Sequence, residues 1–356
     1  MLSYSLQSFG KPLAQVLRET PAPQGTEVLL EVGHCGVCHS DLHLSDGYFD
    51  LGGDARIDLT RSLALPRTLG HEIAGRVAAL GPEVAADAGV RVGDRRVVYP
   101  WIGCGACGPC RAGDEHLCGS PRALGVNRDG GFASHVLVPH PRYLLDYGGL
   151  PAAQACTYGC AGVTAYSALK KAAPLAPGDA LLVIGAGGVG LSGIRLARQV
   201  LGVAPIVAEI DRAKWDLARA AGAADVIDPS AEGAGKALVK ATGGGVAAAI
   251  DYVGAASSFD FGLGALRKGG RLVCVGLIGG RTAIMPAMVA MKAISVIGSY
   301  VGTLAEMREL LALANGPAAL PELPLQTLPL ARAAEVLDDL RAGRIRGRAV
   351  LEVGAP

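Results

Sequence analysis

The stretch HCGVCHSDLH, residues 34–43, places two cysteines and three histidines within ten positions. Thiolate sulfur and imidazole nitrogen are common ligands of zinc, and a catalytic zinc is held by three protein groups with one position left open. Spacing alone does not select those three groups from this chain. The candidates are Cys35, Cys38, His39, His43, His71, Glu72, Cys156, Cys160 and Cys274.

A second cysteine set has the spacing of a closed metal site. The stretch CGACGPCRAGDEHLC places Cys104, Cys107, Cys110 and Cys118 in a C-x2-C-x2-C-x7-C pattern. Short gaps rich in glycine and proline let successive thiolates turn toward one ion, and four sulfurs complete a tetrahedral site. Four thiolates also suit an iron–sulfur cluster, but no other redox group accompanies them. We therefore predict a structural zinc that stabilises a loop and takes no part in a reaction.

A glycine-rich stretch, LLVIGAGGVGLSGIRLARQVLG, carries Gly185, Gly187 and Gly190 in the G-x-G-x-x-G spacing. Because it follows an apolar strand and opens a helix, the spacing predicts a dinucleotide site with the pyrophosphate at the helix N-terminus. Glu209 lies 19 residues after Gly190, where a carboxylate would bind the adenosine ribose and repel a 2′-phosphate. The pattern favours NAD over NADP, although Arg212 nearby is a residue type that accepts a 2′-phosphate.

The elements that must position these residues change character near residue 150. Before it, short apolar runs separated by turn residues predict a small β-barrel or sandwich; they span residues 27–32, 73–80, 95–99 and 132–138. The polar segment 46–69 between them either lies over a site entrance or is a solvated surface excursion.

From 151 to 298, apolar strands alternate with amphipathic helices, which predicts a doubly wound parallel sheet and hence an α/β protein. After residue 300 the pattern indicates two helices, a proline-rich joint at 321–330 and a final strand.

Composition narrows the class of protein. A chain of 356 residues, half of them apolar, is long enough for two packed domains. The formal charge of +1 gives no reason to expect nucleic acid or an anionic membrane as a partner. The N-terminus lacks a signal-peptide pattern, and no apolar run reaches the length of a membrane span. Nine cysteines, an odd number, favour metal binding or free thiols over disulfides. A cytoplasmic enzyme with a small-molecule substrate fits best.

These motifs resemble, in order and along nearly the whole chain, those of the zinc-dependent alcohol dehydrogenases of the medium-chain dehydrogenase/reductase superfamily. Besides the four-cysteine loop they are GHCGVCHSDLH (33–43), LPRTLGHEIAGRV (65–77), CAGVTAYSALKKA (160–172), GAGGVG (185–190) and GRAVL (347–351). The resemblance implies a GroES-like, β-rich catalytic domain (1–153 and 299–356) and an NAD-binding Rossmann domain (154–298). The four-cysteine loop and PWIG (100–103) are most similar to the tetrameric microbial and archaeal branch, which implies a homotetramer, with a dimer as the alternative.

The resemblance also implies roles for individual residues. Cys38, His71 and Cys160 would bind the catalytic zinc; Cys156 is a rival to Cys160 but does not align with the family motif. Glu72 would lie behind the metal, and Asp41 would orient His71. Ser40 would receive the alcohol proton and His43 would pass it to solvent. The implied cofactor contacts are His39, Thr164, Lys214 and Arg348, in addition to the glycines and Glu209, and Trp101 would line the substrate pocket.

The expected function is NAD-dependent oxidation of a primary or secondary alcohol to an aldehyde or ketone, with two zinc ions per chain. An indole in the pocket favours apolar or aromatic alcohols. Two alternatives stay open: a polyol or formaldehyde-type dehydrogenase on the same scaffold, and a dinucleotide-binding protein without catalysis.

Overall fold

The structure, a computed structural model, describes residues 1–354. The strands are β1 Leu2–Leu6, β2 Ala14–Leu17, β3 Val28–Gly36, β4 Tyr48–Asp50, β5 Arg56–Asp58, β6 Arg67–Thr68, β7 Glu72–Leu80, β8 Arg95–Val98, β9 His135–Val138, β10 Leu144–Leu145, β11 Leu181–Ile184, β12 Ile206–Ala208, β13 Asp225–Ile227, β14 Val246–Asp251, β15 Leu266–Cys274, β16 Ser295–Gly298, β17 Leu325–Pro329 and β18 Arg348–Glu352. The α-helices are α1 His39–Asp46, α2 Gly108–Ala112, α3 Ala152–Thr157, α4 Val163–Ala172, α5 Gly188–Leu201, α6 Trp215–Ala220, α7 Ala234–Ala241, α8 Ala256–Ala265, α9 Pro286–Lys292, α10 Leu304–Ala314 and α11 Ala333–Arg341.

Six parallel strands form one sheet in the order β13-β12-β11-β14-β15-β16. With β11 numbered 1, this is the 3-2-1-4-5-6 order of a Rossmann fold, in which the order of strands across the sheet reverses between the neighbouring strands β11 and β14. The side chains of β11 alternate between two cores: Leu181 and Val183 pack with residues of α5, whereas Leu182 and Ile184 pack with residues of α7 and α8. Helices therefore cover both faces, as the apolar strands predicted.

The N-terminal half forms a mostly antiparallel sheet, β10-β8-β7-β3-β18-β17, with β9 also paired to β3. Its central strand, β3, ends two residues before Cys38, and β7 begins directly after His71. The C-terminal strand β18 pairs with β3 and sets Leu351 opposite Cys35. The sheet thus brings three distant segments of the chain to one place.

The local structure differs in three places from what the sequence indicated. The proline-rich stretch 321–330 is not an irregular joint, because it contains β17, which pairs in parallel with β18. The segment 46–69 contains a hairpin of β4 and β5 and the short strand β6. The first strands, β1 and β2, were not predicted; they pair with each other, and β1 also pairs with β6. Within residues 1–354, no helix is long and apolar enough to cross a membrane.

Candidate active site

Cys38, His71 and Cys160 converge, with one potential ligand atom from each lying within 4.8 Å of the others. All three are buried. Cys38 is the N-cap residue of α1, His71 lies just before β7, and Cys160 lies in a π-turn, Tyr158–Gly162, between α3 and α4. The two ring nitrogens of His71 are buried and make no hydrogen bond among the described residues. Two sulfurs and an unpartnered imidazole are a suitable donor set for zinc.

Asp41 connects two of the segments that carry these residues. One carboxylate oxygen accepts a hydrogen bond from the Cys38 backbone N–H at 2.9 Å, and the other accepts from Gly70 N–H at 3.2 Å. The second oxygen also lies 3.4 Å from His71 Nδ1, close to it but without hydrogen-bond geometry. Because Asp41 is fully buried, it fixes both backbone segments and stands where it can orient the imidazole.

Glu72 connects the third segment. Its Oε1 accepts a hydrogen bond from Ala161 N–H, the residue after Cys160, at 3.0 Å. The same carboxylate forms a two-point ion pair with Arg348 on β18, one contact being 2.8 Å from Arg348 Nε to Oε2. Both side chains are buried, with Glu72 inaccessible to solvent and Arg348 5% exposed. The residue that follows His71 therefore holds the backbone that follows Cys160.

The four other predicted cysteine ligands lie together, three of them partly exposed and Cys118 buried. Sulfur–sulfur distances are 3.4 Å for Cys107–Cys110, 3.7 Å for Cys107–Cys118 and 4.0 Å for Cys104–Cys110. A tetrahedron with zinc–sulfur bonds of about 2.3 Å has edges of about 3.8 Å, so the set fits one ion. A cluster would place its cysteine sulfurs on different irons and therefore farther apart. Backbone N–H groups of Ala106 and Cys107 lower the pKa of the Cys104 thiol to about 6.

The glycine-rich turn joins β11 to α5 as the spacing predicted. Gly185 has φ +90°, and a Cβ on Gly190 would lie 2.0 Å from the Gly185 carbonyl oxygen, so both positions need glycine. A Cβ on Gly187, the N-cap residue of α5, would meet nothing within 4 Å. The open space over Gly187 leaves room for a pyrophosphate at the helix N-terminus.

Glu209 follows β12 and lies beside this turn. Its carboxylate accepts hydrogen bonds from Ala186 N–H at 2.7 Å and from Asp211 N–H at 2.8 Å. Lys214 Nζ lies 3.7 Å from Asp211 Oδ2. Glu209 and Lys214 therefore stand together at the end of β12, where an adenosine ribose binds in this fold.

One cavity of about 1180 Å³ joins the two regions. It is lined by all of the predicted proton-transfer, cofactor and pocket residues apart from Glu72, which is buried behind it; these are His39, Ser40, His43, Trp101, Thr164, Gly185, Gly187, Gly190, Glu209, Lys214 and Arg348. Cys38 and Cys160 line it as well. The Trp101 ring lies 5.2 Å from the His71 ring, between centroids, and its indole N–H donates to the Gly159 carbonyl at 2.8 Å.

Two family models match the chain: the alcohol dehydrogenase GroES-like domain over residues 24–147, and the zinc-binding dehydrogenase over residues 188–316. The NAD-dependent alcohol dehydrogenases of Sulfurisphaera tokodaii and Saccharolobus solfataricus are 38% and 37% identical to it over 353 residues, with 99% of each chain covered. The crystal structure of the alcohol dehydrogenase from the hyperthermophilic archaeon Aeropyrum pernix superposes with a TM-score of 0.85 at 31% identity, covering 99% of this chain and all of that one. The chain belongs to the zinc-dependent alcohol dehydrogenases of the medium-chain dehydrogenase/reductase superfamily.

This dehydrogenase therefore carries out NAD-linked oxidoreduction of alcohols. The predictions of the family, the fold class, enzymatic activity, NAD and zinc are confirmed. The alternative of a non-catalytic binding protein is not supported. The roles of the individual site residues remain predictions.

The three predicted ligand groups alter one another's protonation in this dehydrogenase. The Cys160 thiol, acting as a hydrogen-bond donor, lowers the pKa of Cys38 well below its usual range, and that interaction and burial raise the pKa of Cys160. Burial opposes protonation of His71, but Asp41 and Cys38 outweigh it and raise the pKa of His71. Protons are thus shared among groups that a zinc ion would bind in deprotonated form.

The structure also shows pocket residues that the sequence did not reveal. Ser299, Tyr300 and His116 line the cavity, and the Tyr300 ring lies 6.1 Å from the Trp101 ring. The stretch ISVIGSY reads as a buried strand, so only the end of β16 at the sheet edge identifies its last two residues as pocket residues. Cys35 is fully buried, as expected of a packed thiol, and Cys156 donates from its thiol to the Ala153 carbonyl.

Proposed function

We propose that this dehydrogenase oxidises primary or secondary alcohols with an apolar or aromatic body, giving aldehydes or ketones. The observation that carries the proposal is the single cavity that runs from the glycine-rich turn to Cys38 and Cys160. Its wall includes the rings of Trp101 and Tyr300 and the side chains of Leu63 and Val301. Aromatic and aliphatic walls favour a substrate body that gains from leaving water.

In the proposed arrangement Cys38, His71 and Cys160 hold the catalytic zinc, and the glycine-rich turn, Glu209 and Lys214 hold NAD. When bound, zinc supplies a Lewis acid that lowers the pKa of a substrate hydroxyl, and NAD supplies the hydride acceptor. The protein residues then have three tasks: they orient the alcohol, exclude water from it and remove its proton.

Ser40 and His43 are suited to the removal of the proton. Ser40 Oγ lies 3.8 Å from Cys38 Sγ, and His43 follows one helical turn later on α1, so both side chains can face the cavity from the same side of the helix. Both side chains are partly exposed, and Ser40 is the one that lies next to Cys38. We assign the first acceptance of the proton to Ser40 and its release to solvent to His43.

Arg348 has two neighbours in this arrangement. It pairs with Glu72 behind the metal ligands, and its guanidinium lies 2.7 Å from where a Cβ on Gly188 would be. A guanidinium next to the first turn of α5 is within reach of a pyrophosphate bound there. We therefore assign Arg348 to the cofactor and Glu72 to the support of Arg348 and of the Cys160 turn.

We propose that the protein is a homotetramer, with a dimer as the alternative. Strand β16 is the edge of the parallel sheet, and the neighbouring surface carries exposed apolar side chains: Ile284, Met285, Met288, Met291 and Val296. An unprotected edge strand with an apolar flank favours pairing with another chain.

The division into domains at 153/154 and 298/299 is also part of the proposal. The end of β16 at Gly298 and the return of β17 and β18 to the N-terminal sheet support it. We further propose a cytoplasmic location, because all nine cysteines are free thiols and six of them lie in the two ligand sets.

The test is NADH formation by the purified, zinc-replete protein with aliphatic, benzylic and polyol substrates, each also run with NADP. Benzylic and longer aliphatic alcohols should give the highest kcat/KM, and NADP should be the poorer cofactor because Glu209 disfavours its phosphate. Activity confined to polyols would reject the proposed substrate class.

A further inference from the structure

Ser299 occupies an unusual electrostatic position in the cavity wall. Its side chain lines the cavity and is 6% exposed. Lys171 Nζ donates to Ser299 Oγ at 2.9 Å and to Ser167 Oγ at 3.1 Å. Because an ammonium group can only donate, Ser299 must accept from it, and its own hydroxyl hydrogen is left free to donate elsewhere.

Lys171 itself lacks a close counter-charge among residues 1–354. The carboxylate of Glu306 forms its ion pair with the adjacent lysine, Lys170, at 3.8 Å from Nζ. A half-buried ammonium group without a contacting carboxylate places a positive charge directly beside the Ser299 hydroxyl. The charge also polarises the Ser299 hydroxyl and strengthens it as a donor.

His116 is a second polar group in the wall of this cavity. It lines the cavity, and its Nδ1 is buried without a hydrogen-bond partner among the described residues. Burial lowers the pKa of His116, and the charges of Asp114, Lys171 and Glu306 also act on it. By contrast, the carboxylate of Glu115 beside it is fully used, because it accepts from Gly103 N–H, Tyr143 O–H and Arg142.

The corner of the cavity at Ser299 is connected to the metal ligands through aromatic rings. His71 contacts Trp101, Trp101 contacts Tyr300, and Ser299 precedes Tyr300 in the chain. A buried donor without an acceptor is unfavourable, so the corner is best completed by a ligand atom. A substrate bound by its hydroxyl at the metal site, with its body along the two rings, would present its far end here.

We propose that Ser299, supported by Lys171 and joined by His116, forms a second polar subsite that binds an oxygen acceptor at the far end of the substrate. The preferred substrates are therefore alcohols with an apolar middle and a second oxygen, in a hydroxyl, carbonyl or carboxylate group. This inference rests on the proposed function, since it requires that alcohols react in this cavity.

The test compares two alcohols of nearly equal shape, 4-(hydroxymethyl)phenol and 4-methylbenzyl alcohol. The measured quantity is the ratio of their kcat/KM values with NAD, first for the wild type and then for each variant. A difference in intrinsic reactivity between the two alcohols is the same for every variant, so a change in the ratio reports on the subsite alone. Ser299→Ala should lower the ratio about three- to tenfold, the effect of one lost hydrogen bond.

Two further variants test the other members of the subsite. Lys171→Met removes the ammonium group at similar length and should lower the ratio about threefold, because the serine hydroxyl is then free to turn away. His116→Leu should lower it by a similar factor. Ser62→Ala is the matched control, since Ser62 also lines the cavity but donates its hydroxyl hydrogen to the Leu59 carbonyl at 3.2 Å.

If both alcohols are oxidised but the kcat/KM ratio is unchanged in Ser299→Ala, or falls equally in Ser62→Ala, the proposed subsite is wrong. Failure of the wild type to oxidise either alcohol would instead contradict the proposed function, and the subsite would fall with it. The two failures are thus distinguished by the activity of the wild type.

Discussion

Cys35 and Cys38 lie three residues apart, but only the second faces the metal site. Cys38 is grouped with His71 and Cys160, whereas Cys35 is packed against Gly70 and Gly131 in the interior. Cys38→Ser should therefore lower the zinc content from two ions per chain to one and reduce kcat about a thousandfold, because the Lewis acid is worth several kcal/mol. Metal analysis and NADH formation measure both effects.

Cys35→Ser is the control for this substitution. It makes the same change of sulfur to oxygen in the same segment, and it should retain two zinc ions and most of the activity. A Cys38→Ser protein with two zinc ions and wild-type turnover would reject the assignment of the ligand.

His43 gives a pH dependence whose sign follows from its surroundings. Burial, together with the nearby His39, lowers its pKa from the usual 6.5, so the imidazole is neutral at pH 7 and can accept a proton. Alcohol oxidation should fall only when the pH drops below 6.5 and His43 becomes protonated. The measurement is kcat/KM from pH 5 to 9.

His43→Ala should reduce kcat/KM about a hundredfold and remove this acidic decline. His135→Ala, on the distant strand β9, serves as the control and should keep the wild-type profile. An acidic decline that persists in His43→Ala would show that another group accepts the proton.

At the scale of single residues, the sequence predicted the donor types but could not select the ligands. Nine candidates remained because the three groups come from a helix cap, a strand end and a π-turn that are far apart in the chain. The motif resemblance made the selection, and the fold brings the selected residues together. The pairing of Glu72 with Arg348, 276 residues apart, left no local pattern to find.

The hairpin of β4 and β5 connects the two halves of the molecule beside the cavity. Phe49 and the loop residues Leu277 and Ile278 line the cavity, and Gly280 N–H donates to the Leu51 carbonyl at 3.3 Å. A Cβ on Gly52 would lie 2.5 Å from Gly280 Cα. Gly52→Ala should therefore separate hairpin and loop and weaken NADH binding about tenfold, the effect of 1–3 kcal/mol of local strain. Fluorescence titration with NADH measures it.

Gly53→Ala separates the contact from the backbone strain of the substitution. Gly53 also has a positive φ, of +62°, but a Cβ there would lie 3.7 Å from the Arg281 side chain. Both variants carry the cost of a left-handed alanine, and only Gly52→Ala adds the clash. Equal NADH affinities for the two variants would argue against a role for the hairpin contact.

At the scale of elements, the strongly periodic parts of the chain were predictable and the irregular parts were not. The alternation of apolar strands and helices identified the parallel sheet because each strand is buried on both faces. The hairpin in segment 46–69 was not predicted, because its strands are only three residues long and β5 is wholly exposed. Strand β17 was not predicted, because prolines surround it. It pairs with β18, and no local sequence signal reveals this pairing.

At the scale of the whole molecule, the proposed property is assembly into an oligomer. Strand β16 is the proposed contact, so a substitution on β16 tests it. Val296 lies on this edge strand and is 40% exposed. Val296→Lys places a charge where a second strand would pair, so sedimentation velocity should show a shift from tetramer toward smaller species. Leu17→Lys is the control, because Leu17 is 78% exposed on β2, in a different sheet, and should leave the mass unchanged. A wild-type monomer would reject both the tetramer and the dimer, and a tetramer that survives Val296→Lys would move the interface away from this edge.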